Sequence, residues 1–459
     1  ELEKSNYGDS LKIYDTKNKH HSNNGSITTK YRLRFWIDKE VNATNWYKEN
    51  KYDKFYGVYY GESAIDREPE ILKYLIENNK TYIAKIKLGE RRVTGDQEGE
   101  IIETALLANF NHGTLVSTAA KRITNEAKGI PVMEFGARRA DGLNAAIDAS
   151  IYGLMAGCAG TSNIKAAEML GKKALGTMAH SWVEAFDTEY EAFLNFAKIY
   201  PDNCFLLVDT YNTLKSGVPN AIKVFEYMRD NGMSLDHIGI RIDSGDIAYL
   251  TKEARRMLDE AGFPEAKICI SNGLKAETIE SLILQGAPFD LVGVGDNISK
   301  PEGNIGCVYK LVAVRDKDGK YIGKIKLSED AIKIVNPGFK KLYRVYDIDT
   351  GYALADVMCE YNEELNEKEM VIVSTTDYLK SKKISDYRLA ELQQVIFENG
   401  KLVYEDPELS EKANYCNEQM ATIYPEVKRT LNPHEYYVDG TEQFVEYKRE
   451  LIKKARRGV

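Results

Sequence analysis

The chain of 459 residues is longer than one hydrophobic core sustains, so two or three domains are expected. Hydrophobic residues make up 43% and charged residues 29%, an ordinary globular composition, and no apolar run approaches the roughly 18 residues that span a bilayer. Acidic side chains outnumber basic ones by 70 to 62, giving a formal charge of -8, and no basic tract or stripe offers a nucleic-acid footprint.

Cys158, Cys204, Cys269, Cys307, Cys359 and Cys416 lie far apart with no CxxC pair, and they read as reduced, buried small hydrophobes. With a polar start that lacks a signal-peptide core, they predict a cytoplasmic protein.

Residues 1–97 are rich in Tyr, Lys and Asn. Runs at Tyr31–Ile37, Phe55–Tyr60 and Tyr82–Leu88 predict strands and Glu70–Ile76 a helix, a small α+β region in which His20 and His21 belong to a tail. From Glu100 to Lys128 the pattern is helical, with Leu106, Phe110, Val116, Ala120 and Ile123 roughly on one face and Gly129 as terminator.

An alternation follows that decides the fold. Strands are predicted at Val132–Phe135, Leu154–Ala159, Lys173–Met178, Cys204–Asp209, Ile238–Ile242, Lys267–Ser271 and Phe289–Val294. Helical patterns at Leu143–Tyr152, Pro219–Asn231, Ile247–Ala261 and Ala276–Gln285 separate most of them, in repeats of about 30 residues, the size of a βα unit. That rhythm predicts a parallel barrel or an open doubly wound sheet. Beyond Gly295, runs at Cys307–Val314, Tyr321–Leu327, Leu342–Asp347 and Tyr352–Met358 predict an antiparallel meander, and the last fifty residues read as helical with a break at Asn432-Pro433-His434. The expected domains are 1–128, an N-terminal α+β domain with its linking helix; 129–300, the α/β part; and 301–459, the antiparallel and helical C-terminal region.

Three times between residues 131 and 186 a polar cluster follows at once on an apolar run ending in Gly: Arg138 and Arg139; Thr161, Ser162 and Asn163; His180 and Ser181. Loops leaving buried parallel strands are where ligand-facing groups stand beside helix N-termini. Paired guanidiniums, hydroxyls and an imidazole suit an anionic substrate and proton or phosphoryl chemistry. A solvated turn and a structural histidine are the plainer reading of any one cluster, and three in register favour function. Further on, Arg241-Ile242-Asp243-Ser244-Gly245-Asp246 ends a strand with a cation, two carboxylates and a hydroxyl, able to orient ribose hydroxyls or hold Mg²⁺, and partly serving as a helix cap. Ser271-Asn272-Gly273 and Gly293-Val294-Gly295 are glycine turns where barrel enzymes bind phosphate. Asp209-Thr210-Tyr211 adds a carboxylate and two hydroxyls, with a structural role equally open, and His112 and His237 read as structural.

At these motifs the sequence resembles the nicotinate phosphoribosyltransferase family, in its longer bacterial form. The resemblance rests on Glu134-Phe135-Gly136-Ala137-Arg138-Arg139-Ala140, Gly160-Thr161-Ser162-Asn163, Gly176-Thr177-Met178-Ala179-His180-Ser181, Arg241 to Asp246 and Gly293 to Gly295. It continues through Val308-Tyr309-Lys310-Leu311, Asn336-Pro337-Gly338 and Leu431 to Tyr436. It implies an incomplete (β/α) barrel of the type II phosphoribosyltransferase kind joined to an N-terminal α+β domain, acting in NAD salvage as a homodimer. The implied reaction joins nicotinate to phosphoribosyl pyrophosphate, with Mg²⁺, and is coupled to ATP hydrolysis through a phosphohistidine at His180. Arg241 and Asp243 would serve the ribose and ring region, Arg138 the pyrophosphate or the pyridine carboxylate, and Ser162 the pyridine pocket. The turns Ser271–Gly273 and Gly293–Gly295 would hold the 5-phosphate, with Arg139, Thr161, Asp209, Ser244 and Asp246 around the substrates. Nicotinamide-using relatives carry an acid where Ser162 stands, so a hydroxyl favours nicotinate.

The sequence departs from the family pattern in two places. Residues 1–97 lack its Thr-Asp-Leu-Tyr opening and Gly-rich segment, and Gly295-Asp296-Asn297 replaces its Gly-Thr turn. A non-catalytic nucleotide-binding paralogue, or a phosphoribosyltransferase for another base, is the alternative these departures leave open.

Overall fold

A computed structural model describes residues 11–13, 35–37 and 97–457, apart from 331–332, 367 and 399–400, with side chains from residue 106 onward. The expected strands at Phe55–Tyr60 and Tyr82–Leu88, the helix at Glu70–Ile76 and the pair His20 and His21 lie outside the described residues.

The chain divides into two compact units, residues 1–88 with 398–402, and residues 89–397 with 403–459. In the first, β1 (Leu11–Ile13) pairs antiparallel with β2 (Phe35–Ile37), the end of the expected strand Tyr31–Ile37.

The second unit opens with helix α1 (Gln97–Glu126), which therefore belongs with the barrel it covers. Val116, Ala120 and Ile123 are buried as expected, whereas Leu106 and Phe110 are exposed. A helix of 30 residues runs about 45 Å, past the ends of shorter neighbours such as the 13-residue α2 (Leu143–Met155).

β3 (Val132–Glu134) precedes α2, and β4 (Gly160–Thr161) and α3 (Ile164–Met169) follow it. Next come α4 (His180–Glu184), α5 (Glu189–Ile199), β5 (Cys204–Leu207) and α6 (Val218–Asp230). The series ends with β6 (Ile238–Ile242), α7 (Ile247–Glu260), β7 (Lys267–Ile270), α8 (Ala276–Leu284), β8 (Leu291–Val294) and α9 (Asp296–Ser299). The sheet runs β4-β3-β8-β7-β6-β5 with every pairing parallel. In chain order it turns from β5 to β8, closes onto β3 and β4, and stays open between β4 and β5, a curled half-barrel. Leu206, Leu207, Ile240, Ile268, Ile270, Val292 and Val294 fill its core, the unbroken apolar strands that helices on a parallel sheet require.

Two expected strands are absent. Leu154–Ala159 is the last turn of α2 and its exit, ended by Gly157 at φ +104°, because a short apolar run reads alike in helix and strand. Lys173–Met178 falls in the gap between β4 and β5 without becoming a strand, tied to the sheet by the Leu175 N–H to the Thr161 carbonyl at 2.8 Å. Its leading residues Lys173 and Ala174 are exposed, so the run lacks the buried faces of a strand in this sheet.

The C-terminal region departs further from its expectation. β9 (Ala313–Arg315) and β10 (Tyr321–Gly323) are remnants of two expected strands and pair with each other. β11 (Lys340–Asp347) and β12 (Ala353–Glu360) form as expected, and β13 (Glu369–Val373), β14 (Ser381–Ser385), β15 (Tyr387–Glu391) and β16 (Val438–Thr441) join them. In the order β14-β13-β16-β12-β11-β15 this is a mixed sheet and not a meander, since β16 enters parallel to β12. Inside it Arg344 grips Asp356 with two bonds of 2.8 and 2.9 Å, and the Tyr436 hydroxyl donates to the same carboxylate at 2.9 Å. α10 (Leu409–Ala421) and α11 (Glu442–Arg457) complete the region, and the Arg122 guanidinium of α1 donates to the Thr430 carbonyl at 3.1 Å.

Four cysteines are buried as expected, but Cys307 is exposed and Cys416 half-buried. Desolvation pushes the Cys158, Cys204 and Cys269 thiols up to about 12, so they stay protonated and inert.

Gly217, at the start of α6, sits so close to the backbone of Val208 beyond β5 that a Cβ there would collide with its carbonyl oxygen. Gly217→Ala is expected to cost about 3 kcal/mol in urea unfolding. Gly232→Ala, at φ +67° in open space, should cost about 1–2 kcal/mol. Equal losses would show that the approach to Val208 relaxes freely.

Candidate active site

The carboxyl ends of β3 to β8 carry the site. Arg241, the fourth residue of β6, is its centre. It is a mostly buried cation whose Nε donates to the Ser271 hydroxyl at 2.9 Å and whose second and third nitrogens reach the Thr177 hydroxyl at 2.9 Å and Asp243 Oδ1 at 3.1 Å. Ser271, beyond β7, also donates to Asp243 Oδ1, so cation, hydroxyl and carboxylate close a triangle across two strand ends. The guanidinium lies 5.6 Å from the ring centre of Phe135, which leaves β3.

Asp209 does for β5 what Ser271 does for β7. Its Oδ2 accepts the Asp243 N–H at 3.1 Å and the Ser244 hydroxyl at 2.5 Å, while its Oδ1 is buried without a hydrogen-bond partner. His180, the first residue of α4, faces this group. Its Nδ1 is 3.1 Å from the Thr210 hydroxyl and its Nε2 is 3.7 Å from Asp243 Oδ2. Beside it Asp209, Tyr211, Asn212, Lys215, Ser244 and Gly245 line a cavity of about 370 Å³.

Arg241, Asp243, Ser271, Asp209 and Ser244 are thus one connected network, and His180 stands against it 3.7 Å from Asp243, so these six expected residues lie together. The other expected residues stand differently. Arg138 and Arg139 form an exposed turn after β3. Thr161 is buried and donates at 2.6 Å to Glu134, whose carboxylate also accepts the Ser150 hydroxyl at 2.8 Å and the Gly136 N–H. Thr161 is therefore a support, while Ser162 beside it is half-exposed and fixed by its N–H to the Glu134 carbonyl at 2.9 Å. Asp246 caps α7 through the Tyr249 N–H at 3.1 Å and is exposed, so the capping reading of that aspartate holds. Asn272 and Gly273 form an exposed turn with φ of 99° and 56°. The Asn297 amide donates to the Gly273 and Leu274 carbonyls at 3.0 and 2.9 Å, locking the β7 exit to the β8 exit, and the exposed Asp296 beside it opens α9. Gly293 is packed against Phe135, and Gly295 leads into α9.

Sequence reading gave no separate role to Glu134, Thr177, Thr210 or Asn297, although each lies in or beside a quoted motif. Ser150 carries no signal at all, being a mid-helix serine whose hydroxyl also bonds the carbonyl one turn back, at 2.9 Å.

A parallel half-barrel whose strand ends carry a fixed cation, a histidine and glycine turns has the arrangement of an α/β-barrel enzyme, with its site at the carboxyl ends of the strands. The model of the nicotinate phosphoribosyltransferase (NAPRTase) family matches residues 130–293, and that of the nicotinate phosphoribosyltransferase C-terminal domain matches residues 339–448. The nicotinate phosphoribosyltransferase of Bacillus subtilis is 40% identical over 348 residues, 75% of this chain and 70% of that protein. The Caenorhabditis elegans nicotinate phosphoribosyltransferase is 30% identical, over 83% of this chain and 79% of its own. The crystal structure of human nicotinic acid phosphoribosyltransferase superposes with a TM-score of 0.63 at 22% identity over 77% of each chain, a likeness of fold. The chain belongs to the nicotinate phosphoribosyltransferase family.

Because Glu134 gathers the exits of β3 and β4 around one buried carboxylate, Glu134→Gln is expected to cost about 1–3 kcal/mol in urea unfolding. Ser150→Ala should cost less, since its hydroxyl also serves its own helix. A Glu134→Gln loss within about 0.5 kcal/mol would show that the carboxylate is dispensable.

Proposed function

We propose that this chain transfers the phosphoribosyl group of phosphoribosyl pyrophosphate to nicotinate, giving nicotinate mononucleotide and pyrophosphate in NAD salvage, coupled to ATP hydrolysis and acting as a homodimer. Family membership supports the reaction. The observation that carries the coupling is His180, a half-exposed imidazole hydrogen-bonded to Thr210 and 3.7 Å from Asp243, the carboxylate that Arg241 pairs.

In this reading the ring nitrogen of nicotinate forms a bond to the anomeric carbon of the ribose as the bond to pyrophosphate breaks. The transition state is oxocarbenium-like, so positioning and charge do most of the work. Arg241 holds Asp243 in place beside the ribose without leaving an uncompensated acid there. Arg138 and Arg139 are exposed cations for the departing pyrophosphate or the pyridine carboxylate. Ser162 offers that carboxylate a hydroxyl, and the turns at Ser271–Gly273 and Gly293–Gly295 offer the 5-phosphate the N–H groups beyond their strands, at Asn272, Gly273 and Gly295, the Ser271 N–H being held by the Ile242 carbonyl. Mg²⁺ neutralises phosphate charge when bound. Asp209, with its unpartnered buried Oδ1, and Asp243 suit it, because Mg²⁺ takes one or two carboxylates and completes its shell from substrate phosphates and water.

For the coupling, a proton on Nδ1 donated to Thr210 leaves the Nε2 lone pair free to attack the terminal phosphorus of ATP. The bond to the leaving ADP breaks as the phosphohistidine forms, and water later takes the phosphoryl group. In that tautomer Nε2 carries no proton for Asp243, 3.7 Å away, so the Thr210 contact orients the ring. The 370 Å³ cavity lined by Lys215 and Ser244 is of ligand size.

Nicotinate mononucleotide formation, measured with and without ATP on the intact chain and on His180→Ala, tests both parts. The expected result is turnover that ATP raises in the intact chain, with the ATP effect lost in the variant. Arg241→Ala should lower kcat/KM by about 10²-fold or more. Nucleotide binding without turnover in the intact chain would defeat the enzyme reading.

A further inference from the structure

Away from the barrel mouth, the mixed sheet holds a buried cation that the reaction does not use. Lys448, on α11, is 1% exposed, and its ammonium donates to Asn336 Oδ1 at 2.7 Å, to the Thr375 carbonyl at 2.9 Å and, at a long 3.4 Å, to the Ile334 carbonyl. All three acceptors are neutral. Burying an ammonium is costly unless an anion accompanies it, and no carboxylate among the described residues pairs with this one. Desolvation pulls its pKa down to about 8, with no opposing carboxylate to hold it up.

Lys448 also lines a cavity of about 200 Å³. Lys448, Ile452 and Arg456 line it from one face of α11, four residues apart, and Thr375, Thr376 and Tyr378 line it from the β13–β14 loop. Two cations and several hydroxyls border it, and no lining residue is acidic. Arg456 is exposed at the rim and makes no ion pair with a described residue, whereas neighbouring Arg449 is spent on Glu446 at 2.8 Å and on the Tyr378 ring.

We propose that this cavity is a binding site for a phosphate group, held between Lys448 at the wall and Arg456 at the rim, with the Thr376 hydroxyl as a further donor. The volume fits a phosphate or the phosphate end of an ester and not a whole nucleotide. Lys448 supplies charge and gives up its long bond to Ile334, and the Arg456 fork supplies the directed hydrogen bonds. The site stands apart from the half-barrel network and does not depend on the reaction proposed for it.

Inorganic phosphate titrated into the full chain, read by thermal unfolding, tests the proposal on protein that is otherwise intact. Arg456→Gln, at the exposed rim, should fold normally and require about tenfold more phosphate for the same rise in Tm. Thr376→Val should show a smaller loss. Crystals soaked in selenate, whose anomalous scattering locates the ion, should show a peak between Lys448 and Arg456. A phosphate response that Arg456→Gln leaves unchanged, or anomalous density confined to the barrel mouth, would overturn the proposal and leave Lys448 as a tie between loops.

Discussion

The site depends on one guanidinium. Arg241 occupies a strand position otherwise reserved for apolar side chains, in the sequence Ile-Arg-Ile, and a charge placed there must be neutralised and hydrogen-bonded on the spot. Asp243 two residues on, Ser271 from the next strand and Thr177 from the segment before α4 meet that demand. Satisfying the cation therefore fixes the relation of three chain segments. Thr177 is drawn to it from the gap between β4 and β5, and His180 follows three residues later. The open side of the half-barrel is thereby pinned at its mouth by side chains and not by ladder hydrogen bonds.

Glu134 is the complementary device on the other side of the opening. Its buried carboxylate accepts from Gly136, Ser150 and Thr161, joining β3, α2 and β4. Gly136 lies against Gly295 and Ser299 with no room for a Cβ, so the Arg138–Arg139 turn is launched from a rigid seat. One side of the mouth is organised around a cation and the other around an anion, each satisfied by the protein itself. The exposed Arg138 and Arg139 between them are thus not needed to balance either buried charge.

How much of this the sequence carried follows from the periodicities involved. The strands β5 to β8 were legible because a parallel strand buried on both faces must be an unbroken apolar run, as Ile238–Ile242 and Leu291–Val294 are. The same rule misled at Leu154–Ala159, where small apolar residues finish a helix. The six-residue group was legible because each member closes a strand or opens a helix. Asp246 and Thr161 have the residue types of a binding site but serve a cap and a buried tie, and composition does not distinguish those uses. Ser150 acts on Glu134 across 16 positions in sequence, a relation no local pattern reveals. In the C-terminal half, β16 is a short strand, Val-Asp-Gly-Thr, that propensity would not select. It is held by insertion between β12 and β13, so tertiary context makes it a strand.

The acids at the mouth resolve an apparent conflict. Asp209 and Asp243 stand at the lip of the site, where by simple charge they would repel the polyanionic substrates proposed for it. Asp243 is largely answered by Arg241 and Ser271, and Asp209 Oδ2 by a backbone N–H and a hydroxyl. What remains is Asp209 Oδ1, which is buried without a hydrogen-bond partner among the described residues. Both acids are thus held by the exits of β5, β6 and β7, which His180 faces.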